Sequence, residues 1–556
     1  MGQAADLAFV NGAVYTVDEE RRTVSAVAVR HGRIAAVGDD DEIRELLGPA
    51  TEVVDLGGRM LLPGFQDAHV HPPSGGLEML ECDLNGGNTR ADYERLVREY
   101  VRANPSEPWI LGGGWKMGAF PHGTPDRGIL DAIVPDRPVF LPNRDGHSAW
   151  VNSAALELAG VTGATPDPPD GRIERDERGA PSGALHEGAM RLVERLIPVV
   201  TQARWEEGLR IGQSYLHSFG ITAWQDAAVG GGYDTLDAYL AMAGRGELTG
   251  RVVGALWWDR HRGPEQIEEL EALRSRGSEG RFRATAVKIM QDGVVECFTA
   301  GLLEPYLGED GRATDNLGLS FVDPEVLKEG VTRLDAAGFQ VHFHAIGDRA
   351  VRESLDAVEA ARAANGANDL RHHIAHIQVI HPDDLPRFGA LGVVANGQPL
   401  WANNERQMTE LTIPFLGPGR AAWQYPFASL VASGATLAFG SDWSVSSPNP
   451  LEEIHLAVNR TVWPEALDEV GDPRAIDEVF LPNERLDLPT AIAAFTLGSA
   501  FVNHLDRETG SIEVGKYADL VVLDRNVFEL PVEELHAATV ELTLVQGERV
   551  YSTDVL

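Results

Sequence analysis

Residues 60–72 read MLLPGFQDAHVHP, an apolar run that ends in two histidines separated by a single residue. Because side chains alternate between the two faces of a β-strand, His69 and His71 project from the same face at the carboxyl end of the predicted strand. Parallel barrels build their sites at that end, and paired imidazoles there are typical of metal ligands. A His-x-His pair alone has limited weight, so the interpretation depends on the residues that end the other strands.

Eight apolar runs of this kind alternate with helical patterns such as PEVLKEGVTRLDAAG (324–338). The runs are MLLPGFQDAHVH (60–71), ITAWQDA (221–227), RVVGALWW (251–258), TAVKIMQDG (285–293), FQVHFHAIGD (339–348), RHHIAHIQ (371–378), GVVANGQP (392–399) and ATLAFGSDW (435–443). Apolar strands separated by amphipathic helices are the sequence pattern of a parallel sheet with crossover helices. Eight such units predict an α/β protein built on a (β/α)8, TIM-like barrel.

Both ends of the chain contain short strand patterns with Asn-Gly, His-Gly and Gln-Gly turns, although the whole barrel separates them. We predict that residues 1–58 and 507–556 pair into one small composite β-sandwich, while residues 59–506 form the barrel. Residues from about 73 to about 200 break the alternation and include Pro/Gly-rich stretches such as GATPDPPDGR (163–172). We interpret them as a long insertion after the first barrel strand, placed to roof the site.

The 556-residue chain has ordinary globular fractions of apolar and charged residues, 43% and 24%, and a formal net charge of −37. This charge argues against nucleic acid and anionic membrane surfaces as partners, because both would repel the chain at long range. With only two cysteines, Cys82 and Cys297, we expect neither a disulfide framework nor a Cys-rich metal cluster. The sequence contains no signal-peptide pattern and no apolar run long enough to span a membrane, so we expect a cytoplasmic protein. A homodimer is compatible with a barrel of this size, although no residue indicates one.

Three other strand ends carry candidate ligands: His344 lies near the end of the fifth run, His376 near the end of the sixth and Asp442 near the end of the eighth. Imidazole groups suit zinc and other borderline first-row ions. Asp442 follows a Gly-Ser turn and is also compatible with a helix cap, but at this rim a carboxylate is placed both to bind metal and to take a proton from water. His342 shares a face with His344 but lies one pleat deeper, so we interpret it as a supporting or core residue.

Lys288 lies inside the fourth strand of a chain that has only four lysines among its 47 basic residues. Burial favours the neutral amine of a lysine, which can react with carbon dioxide to form a carbamate that bridges two metals, whereas arginine stays charged. The alternative is structural: the stem packs in the core and the ammonium group pairs with Asp292.

At these residues the chain resembles the metal-dependent amidohydrolases, and within them the branch, amidohydrolase family 3, that includes the N-substituted formamide deformylases. PGFQDAHVH (63–71) is similar to the signature of the superfamily's first strand. Five later segments resemble the later blocks of the branch, in the same order: VKIMQDGVVECFTA (287–300), HFHAIGDRAV (342–351), HIAHIQVI (373–380), GSDW (440–443) and GSIEVGKYADLVVLD (510–524). DGHSAWVNSAAL (145–156) resembles a block of the branch's insertion. Many relatives carry Glu immediately before the sixth-strand histidine, where this chain has Ala375, so we expect altered packing behind the metal face rather than lost ligation.

The resemblance implies a barrel with a composite β-sandwich and one or two divalent metal ions, with zinc as the expected metal. The implied metal ligands are His69, His71, His344, His376, a carboxylated Lys288 as bridge, and Asp442 as ligand and base. The expected reaction is hydrolysis of a non-peptide C–N bond in a small N-substituted or N-acyl amide, by metal-activated hydroxide with Asp442 as general base. His147, in the insertion, is a candidate to hydrogen-bond the oxyanion or the substrate, although it is also compatible with a capping or packing role.

Four tryptophans near predicted strand ends or in the insertion are candidates for an apolar substrate wall, and each is equally compatible with a core position. They are Trp115, Trp224, Trp401 and Trp443. Two other classes of function stay open at this point. The same metal barrel is compatible with a deaminase, a cyclic-amide hydrolase or a decarboxylase, and a non-catalytic protein could keep the site as a metal or ligand receptor.

Overall fold

A barrel of eight parallel strands forms the centre of the protein in a computed structural model, which describes residues 4–231 and 234–554. The strands lie where the sequence predicted them and pair in chain order, so the predicted barrel is confirmed. They are Phe65–Val70, Ile221–Val229, Arg251–Trp257, Phe282–Met290, Gln340–Ala345, His373–His376, Val394–Gly397 and Leu437–Phe439. A short strand, Ser278–Glu279, pairs antiparallel with the fourth.

Hydrogen bonds between the first strand and the segments that end the seventh and eighth strands nearly close the barrel. Asn396 Nδ2 donates to the carbonyl oxygen of Ala68 (3.0 Å), and the backbone N–H of Asp442 donates to the carbonyl oxygen of His69 (2.7 Å). The backbones of two candidate ligands, His69 and Asp442, are therefore hydrogen-bonded directly to each other.

Crossover helices pack their apolar faces on the barrel, as the alternating pattern predicted. Pro324–Ala336 is an example: the carboxylate of Asp323 caps its first turn, and Leu327, Val331 and Leu334 are buried at helical spacing. The helices around the barrel include Gln202–Ser218, Thr235–Gly244, Ile267–Arg276, Pro324–Ala336, Asp348–Asn365, Leu385–Leu391, Ile413–Ala421, Phe427–Ala432, Pro450–Asn459 and Leu488–Ala493. Across the two described ranges, no helix combines the length and apolarity needed to cross a membrane.

The two ends of the chain form a small β-sandwich with a shared apolar core that includes Phe9, Leu61 and Leu544. The first sheet contains, in spatial order, Arg33–Gly38, Ala26–Arg30, Leu7–Val10 and Glu52–Asp55. The second sheet mixes both ends in the order Glu548–Ser552, Val540–Val545, Leu520–Leu523, Met60–Pro63, Ala13–Tyr15 and Thr23–Val24.

The run that the sequence presented as one first strand divides into two strands at Gly64. Met60–Pro63 pairs with the C-terminal strand Leu520–Leu523 in the sandwich, whereas Phe65–Val70 pairs in the barrel. A Cβ atom at position 64 would lie 2.4 Å from the Cγ2 atom of Thr222, so a larger residue would not fit at this crossing. The barrel therefore begins at Phe65 rather than at residue 59.

The insertion after the first barrel strand folds into a sheet of its own. In spatial order its strands are Gly171–Arg175, Pro181–Glu187, Ser148–Val151, Val139–Pro142, Ile110–Gly113 and Cys82–Asp83. Helix Arg90–Ala103 packs its Tyr93 and Val97 into a core that also contains Trp115 and Trp150. The same core includes side chains from the loops that follow barrel strands, so the insertion rests on the carboxyl end of the barrel.

Candidate metal centre

His69, His71 and Asp442 converge at the carboxyl end of the barrel. The Nε2 atoms of His69 and His71 each lie 3.1 Å from Oδ1 of Asp442, and one ligand atom from each residue lies within 4.8 Å of the others. Oδ1 of Asp442 is buried and has no hydrogen-bond partner. A buried oxygen without a proton donor, facing two imidazole nitrogens, fits a divalent cation such as zinc, which binds nitrogen and oxygen donors of these types.

The backbone around Asp442 is held in an uncommon conformation that directs its carboxylate into the centre. Asp442 adopts a φ of 55°, and His376 adopts a φ of 76°. Non-glycine residues in this region are disfavoured by about 1–3 kcal/mol and persist where the surroundings hold them. Here the buried carboxylate of Asp67 accepts hydrogen bonds from the hydroxyl of Ser441 (2.6 Å) and from the backbone N–H of His69 (2.9 Å), which ties the two ligand-bearing segments together.

His344, His376 and Lys288 surround the same centre from the fifth, sixth and fourth strands. The ring of His376 lies 4.5 Å from that of His344 and 4.7 Å from that of His69, centroid to centroid. The Lys288 amine lies 3.5 Å from Nε2 of His69 and makes no ion pair with any described residue. Asp292 instead accepts three backbone N–H groups, so the pairing that would make Lys288 merely structural is not observed.

Burial sets the protonation states at the centre. It lowers the pKa of Lys288 to about 7, with Asp442 acting in the opposite direction, and lowers the pKa of His69 to about 3. Burial alone would raise the pKa of Asp442, but the neighbouring His69 and His71 hold it well below its usual range. The result is a neutral His69 imidazole, an ionised Asp442 carboxylate and a Lys288 amine with a substantial neutral fraction, which are the forms that bind metal ions.

His147 reaches the centre from the insertion and is paired with Glu187. Its Nδ1 atom lies 2.9 Å from Oε1 of Glu187, and the hydroxyl of Thr299 donates to the same oxygen (2.8 Å). Burial alone would lower the pKa of His147, but the carboxylate of Glu187 raises it to about 9. The His147 ring, 5.4 Å from the ring of His344, therefore carries a proton at neutral pH and can donate a hydrogen bond into the cavity that it lines.

The sequence analysis assigned no role to Glu187, although Glu187 is the residue that determines the charge of His147. Its one signal is a carboxylate at the end of the apolar run PSGALHE (181–187). Nothing in that run identifies its partner, which lies on a neighbouring strand of the insertion sheet.

A cavity of about 1050 Å³ lies between the barrel rim and the insertion, and all six predicted metal ligands line it. Its wall is amphipathic. Apolar and aromatic side chains in it include Trp205, Trp257, Trp401, Trp463, Met290 and Ile346, and charged ones include Lys116, Arg144, Glu405 and Glu469. A pocket with an aromatic wall and a few placed polar groups suits a small organic substrate.

Of the four tryptophans predicted to bind substrate, Trp401 lines this cavity, where its ring stacks on His376 (5.3 Å, 14°). Trp115 is fully buried in the core of the insertion, and its indole N–H donates to a backbone carbonyl. Trp224 is fully buried between the barrel and a crossover helix, and Trp443 packs on a neighbouring tyrosine. The structure corrects the prediction for these three, because a tryptophan near a strand end can pack behind the site as readily as it faces it.

Comparisons with known proteins cover the barrel and both chain ends. A family profile described as "Amidohydrolase family" matches residues 52–551. The protein LONG AFTER FAR-RED 3 of Arabidopsis thaliana is 33% identical over 99% of this chain and 92% of its own. The N-substituted formamide deformylase of Arthrobacter pascens is 26% identical over 98% of each chain. Among solved structures, an uncharacterized metal-dependent hydrolase from Pyrococcus furiosus has a TM-score of 0.69 at 28% identity, over 94% of this chain and 99% of that one.

Proposed function

This chain belongs to the amidohydrolase family, and we propose that it hydrolyses the C–N bond of a small N-substituted or N-acyl amide at a zinc site. Members of the family are metal-dependent hydrolases that act on C–N bonds other than peptide bonds. The observation that supports the proposal most directly is the buried, unpartnered Oδ1 atom of Asp442 beside two imidazole nitrogens at the floor of an aromatic-walled cavity. The similarity to a formamide deformylase suggests the substrate class.

The residues present suit one or two ions. His69, His71 and Asp442 would hold one, and His344 and His376 would hold a second, and the Lys288 amine lies 3.5 Å from Nε2 of His69. A divalent ion bound there supplies a Lewis acid that acidifies water and polarises a carbonyl group.

Lys288, as a carbamate, would supply oxygen donors for such ions. Its neutral amine adds to carbon dioxide, the new N–C bond forms, and one proton leaves, so the product carries one negative charge and two oxygen donors. The low pKa of the amine, about 7, makes the reacting form available at neutral pH. The absence of an ion pair to any described carboxylate leaves the amine free for this reaction.

Asp442 and His147 supply the acid–base chemistry. The Asp442 carboxylate takes one proton from water as the oxygen adds to the carbonyl carbon, and returns that proton to the leaving nitrogen as the C–N bond breaks. The charged ring of His147 donates a hydrogen bond to the carbonyl oxygen as negative charge develops there. Water is consumed, and an acid and an amine are released.

Trp401 and its aromatic neighbours provide the wall for the nitrogen substituent. The stack of Trp401 on His376 places an apolar face directly beside a predicted ligand. An aryl or alkyl substituent would bury its surface there, whereas the polar amide would face the rim.

We propose the cytoplasm as the setting of this reaction. The two cysteines are both free and buried, which suits a reducing compartment.

The decisive experiment measures metal per chain by plasma mass spectrometry and activity on a panel of N-substituted formamides and N-acyl amines. We expect about two zinc ions per chain, a clear loss in Lys288→Ala, and release of amine with the matching acid. A parent protein that binds no divalent ion, or that releases ammonia from heterocycles but cleaves no amide, would contradict the proposal.

A further inference from the structure

Beneath the metal centre, the barrel interior contains polar side chains that the proposed chemistry does not use. We define the amide–imidazole network as six buried residues: Gln225, Gln340, His342, His373, Asn396 and Gln398. Branched apolar residues usually fill a parallel barrel, and a buried polar group is costly unless it is hydrogen-bonded. A cluster of six therefore requires an explanation, and their hydrogen bonds provide one.

Two backbone carbonyls fix the orientation at the lower end of the network. Nε2 of Gln340 donates to the carbonyl oxygens of Arg371 (2.8 Å) and Val502 (2.7 Å). Because carbonyl oxygens only accept, Gln340 must turn its nitrogen toward them and keep Oε1 as an acceptor. Nε2 of Gln225, 3.0 Å away, donates to that oxygen, which leaves Oε1 of Gln225 as an acceptor on the side of the metal centre.

This orientation decides which ring nitrogen of His342 carries its hydrogen. Nδ1 of His342 lies 2.7 Å from Oε1 of Gln225, so Nδ1–H donates. His342 is fully buried and forms no ion pair among the described residues, so the neutral ring with one N–H is the less costly form. Its Nε2 atom then accepts from Nδ1–H of His69 (2.8 Å). Nε2 of His69 is left with a lone pair, and it is the atom 3.1 Å from Oδ1 of Asp442.

A second route through the network leads to the same assignment. Nδ2 of Asn396 donates to the carbonyl oxygen of Ala68 (3.0 Å), and the same nitrogen faces Nδ1 of His373 (3.2 Å). Nδ1 of His373 must therefore accept, so its Nε2 carries the hydrogen and donates to Oε1 of Gln225 (2.9 Å). Both routes require an oxygen at the same position of Gln225.

The network also reaches a second predicted ligand. The backbone N–H of His376 donates to Oε1 of Gln398 (2.9 Å), which identifies that atom as the amide oxygen. Nδ1 of His376, 3.1 Å from the same oxygen, therefore donates as well, and its Nε2 keeps a lone pair. Nε2 of Gln398 donates to Oδ1 of Asn396 (3.3 Å), which joins this arm to the rest of the network.

We infer that the amide–imidazole network holds His69 and His376 as Nδ1–H tautomers before any cation binds, so that Nε2 of each ring keeps its lone pair free for a metal ion, and that of His69 faces Oδ1 of Asp442. His342 and Gln398 are the positioning residues, since each contacts one ligand and determines which nitrogen of its ring is free. Partners of this kind typically change metal affinity about 10- to 100-fold when they are lost. The inference rests on the zinc site of the proposed function, which the metal content of the parent protein tests separately.

The first test compares two variants of His342 in metal-free protein, with zinc affinity measured by competition with a chromogenic chelator. His342→Gln keeps a terminal amide that can accept from His69 and donate to Gln225, whereas His342→Met fills a similar volume with neither group. We expect His342→Met to bind zinc about 10- to 100-fold more weakly than the parent, and His342→Gln to stay within about threefold. Equal losses in both variants, or a loss in neither, would overturn the inference.

The second test uses Gln398. Gln398→Glu keeps an oxygen that accepts both N–H groups of His376, and Gln398→Met removes it, so only the latter should weaken zinc binding. Thermal unfolding of the metal-free proteins separates ligand positioning from packing, and this pair decides the question if His342→Met does not fold. Zinc affinities that simply follow the metal-free melting temperatures would contradict the inference. A parent protein that binds no zinc would instead contradict the proposed function itself.

Discussion

The barrel rim and the insertion face the same cavity, but they present their functional groups in different ways. The rim ligands come from separate parallel strands whose ends must meet, so His69, His344 and Asp442 converge by the geometry of the barrel. Glu187 ends one strand of the insertion sheet and His147 immediately precedes the neighbouring strand, and their position depends on how that sheet packs on the loops above the barrel.

The difference separates two tasks. At the rim, one oxygen of the Asp442 carboxylate receives no hydrogen bond, and imidazole groups and the Lys288 amine lie around it. This arrangement suits metal binding and proton transfer. The insertion contains a closed ion pair, His147 with Glu187, which is an arrangement for holding one charge in place. We therefore expect changes at the rim to abolish the chemistry and changes in the insertion to alter its rate and substrate range.

The largest effect is expected from Asp442→Asn. Loss of the carboxylate removes both a ligand and the group that transfers the proton, and general acid–base catalysis alone contributes about 10²- to 10⁴-fold. We expect kcat/KM on the best amide of the panel to fall by about 10³ or more, with less zinc per chain. Asp383→Asn, an exposed carboxylate elsewhere on the barrel, is the matched control and should leave both quantities unchanged. Full activity in Asp442→Asn would exclude it as the base.

Glu187→Gln should have a smaller effect, which lowers the catalytic rate and leaves the zinc content unchanged. Without the carboxylate, burial dominates and lowers the pKa of His147 from about 9, so the ring loses its proton at a lower pH. We expect kcat to fall about 10- to 100-fold at pH 8, the alkaline limb of the kcat profile to move to lower pH, and zinc per chain to stay at the parent value. An unchanged pH profile would show that His147 acts without this partner.

The rim ligands come from parallel barrel strands, and the His147–Glu187 pair comes from the insertion. This difference explains how much of the site the sequence could predict. Strand alternation and barrel topology place His69 and His71 on one face and bring the other strand ends to them, so the convergence of these candidate ligands follows from spacing and order. The split at Gly64 could not be predicted, because it depends on the pairing of Met60–Pro63 with Leu520–Leu523, a strand from the other end of the chain.

Pairings that cross a sheet could not be predicted for the same reason. Glu187 meets His147 through the register of the insertion strands, and Gln225 meets His342 across the barrel interior. Periodicity gives the face on which a side chain lies, but not its partner on another strand, and for a tryptophan in an irregular segment it does not even give the face.

Trp401→Ala should change substrate binding more than catalysis. It removes the aromatic wall stacked on His376, and an aromatic contact of this kind contributes about 0.5–1.5 kcal/mol beyond its buried area. We expect KM for an N-aryl substrate to rise about tenfold, with less effect on an N-methyl analogue. Trp401→Phe keeps a stacked ring and should restore most of the binding. A fall in zinc content in Trp401→Ala would show instead that the ring supports the ligand.

The smallest effect on activity is expected from Trp115→Phe, which tests whether the insertion core and the substrate wall are distinct. Trp115 is fully buried, and its indole N–H donates to the carbonyl oxygen of Leu141 (2.8 Å). Phenylalanine cannot donate this hydrogen bond, so the free energy of unfolding should fall by about 0.5–1.5 kcal/mol in urea denaturation. KM, kcat and zinc per chain should stay within about twofold of the parent, because Trp115 does not line the cavity. A rise in KM like that of Trp401→Ala, with no loss of stability, would show that Trp115 contacts the substrate. The insertion core and the substrate wall would then not be distinct.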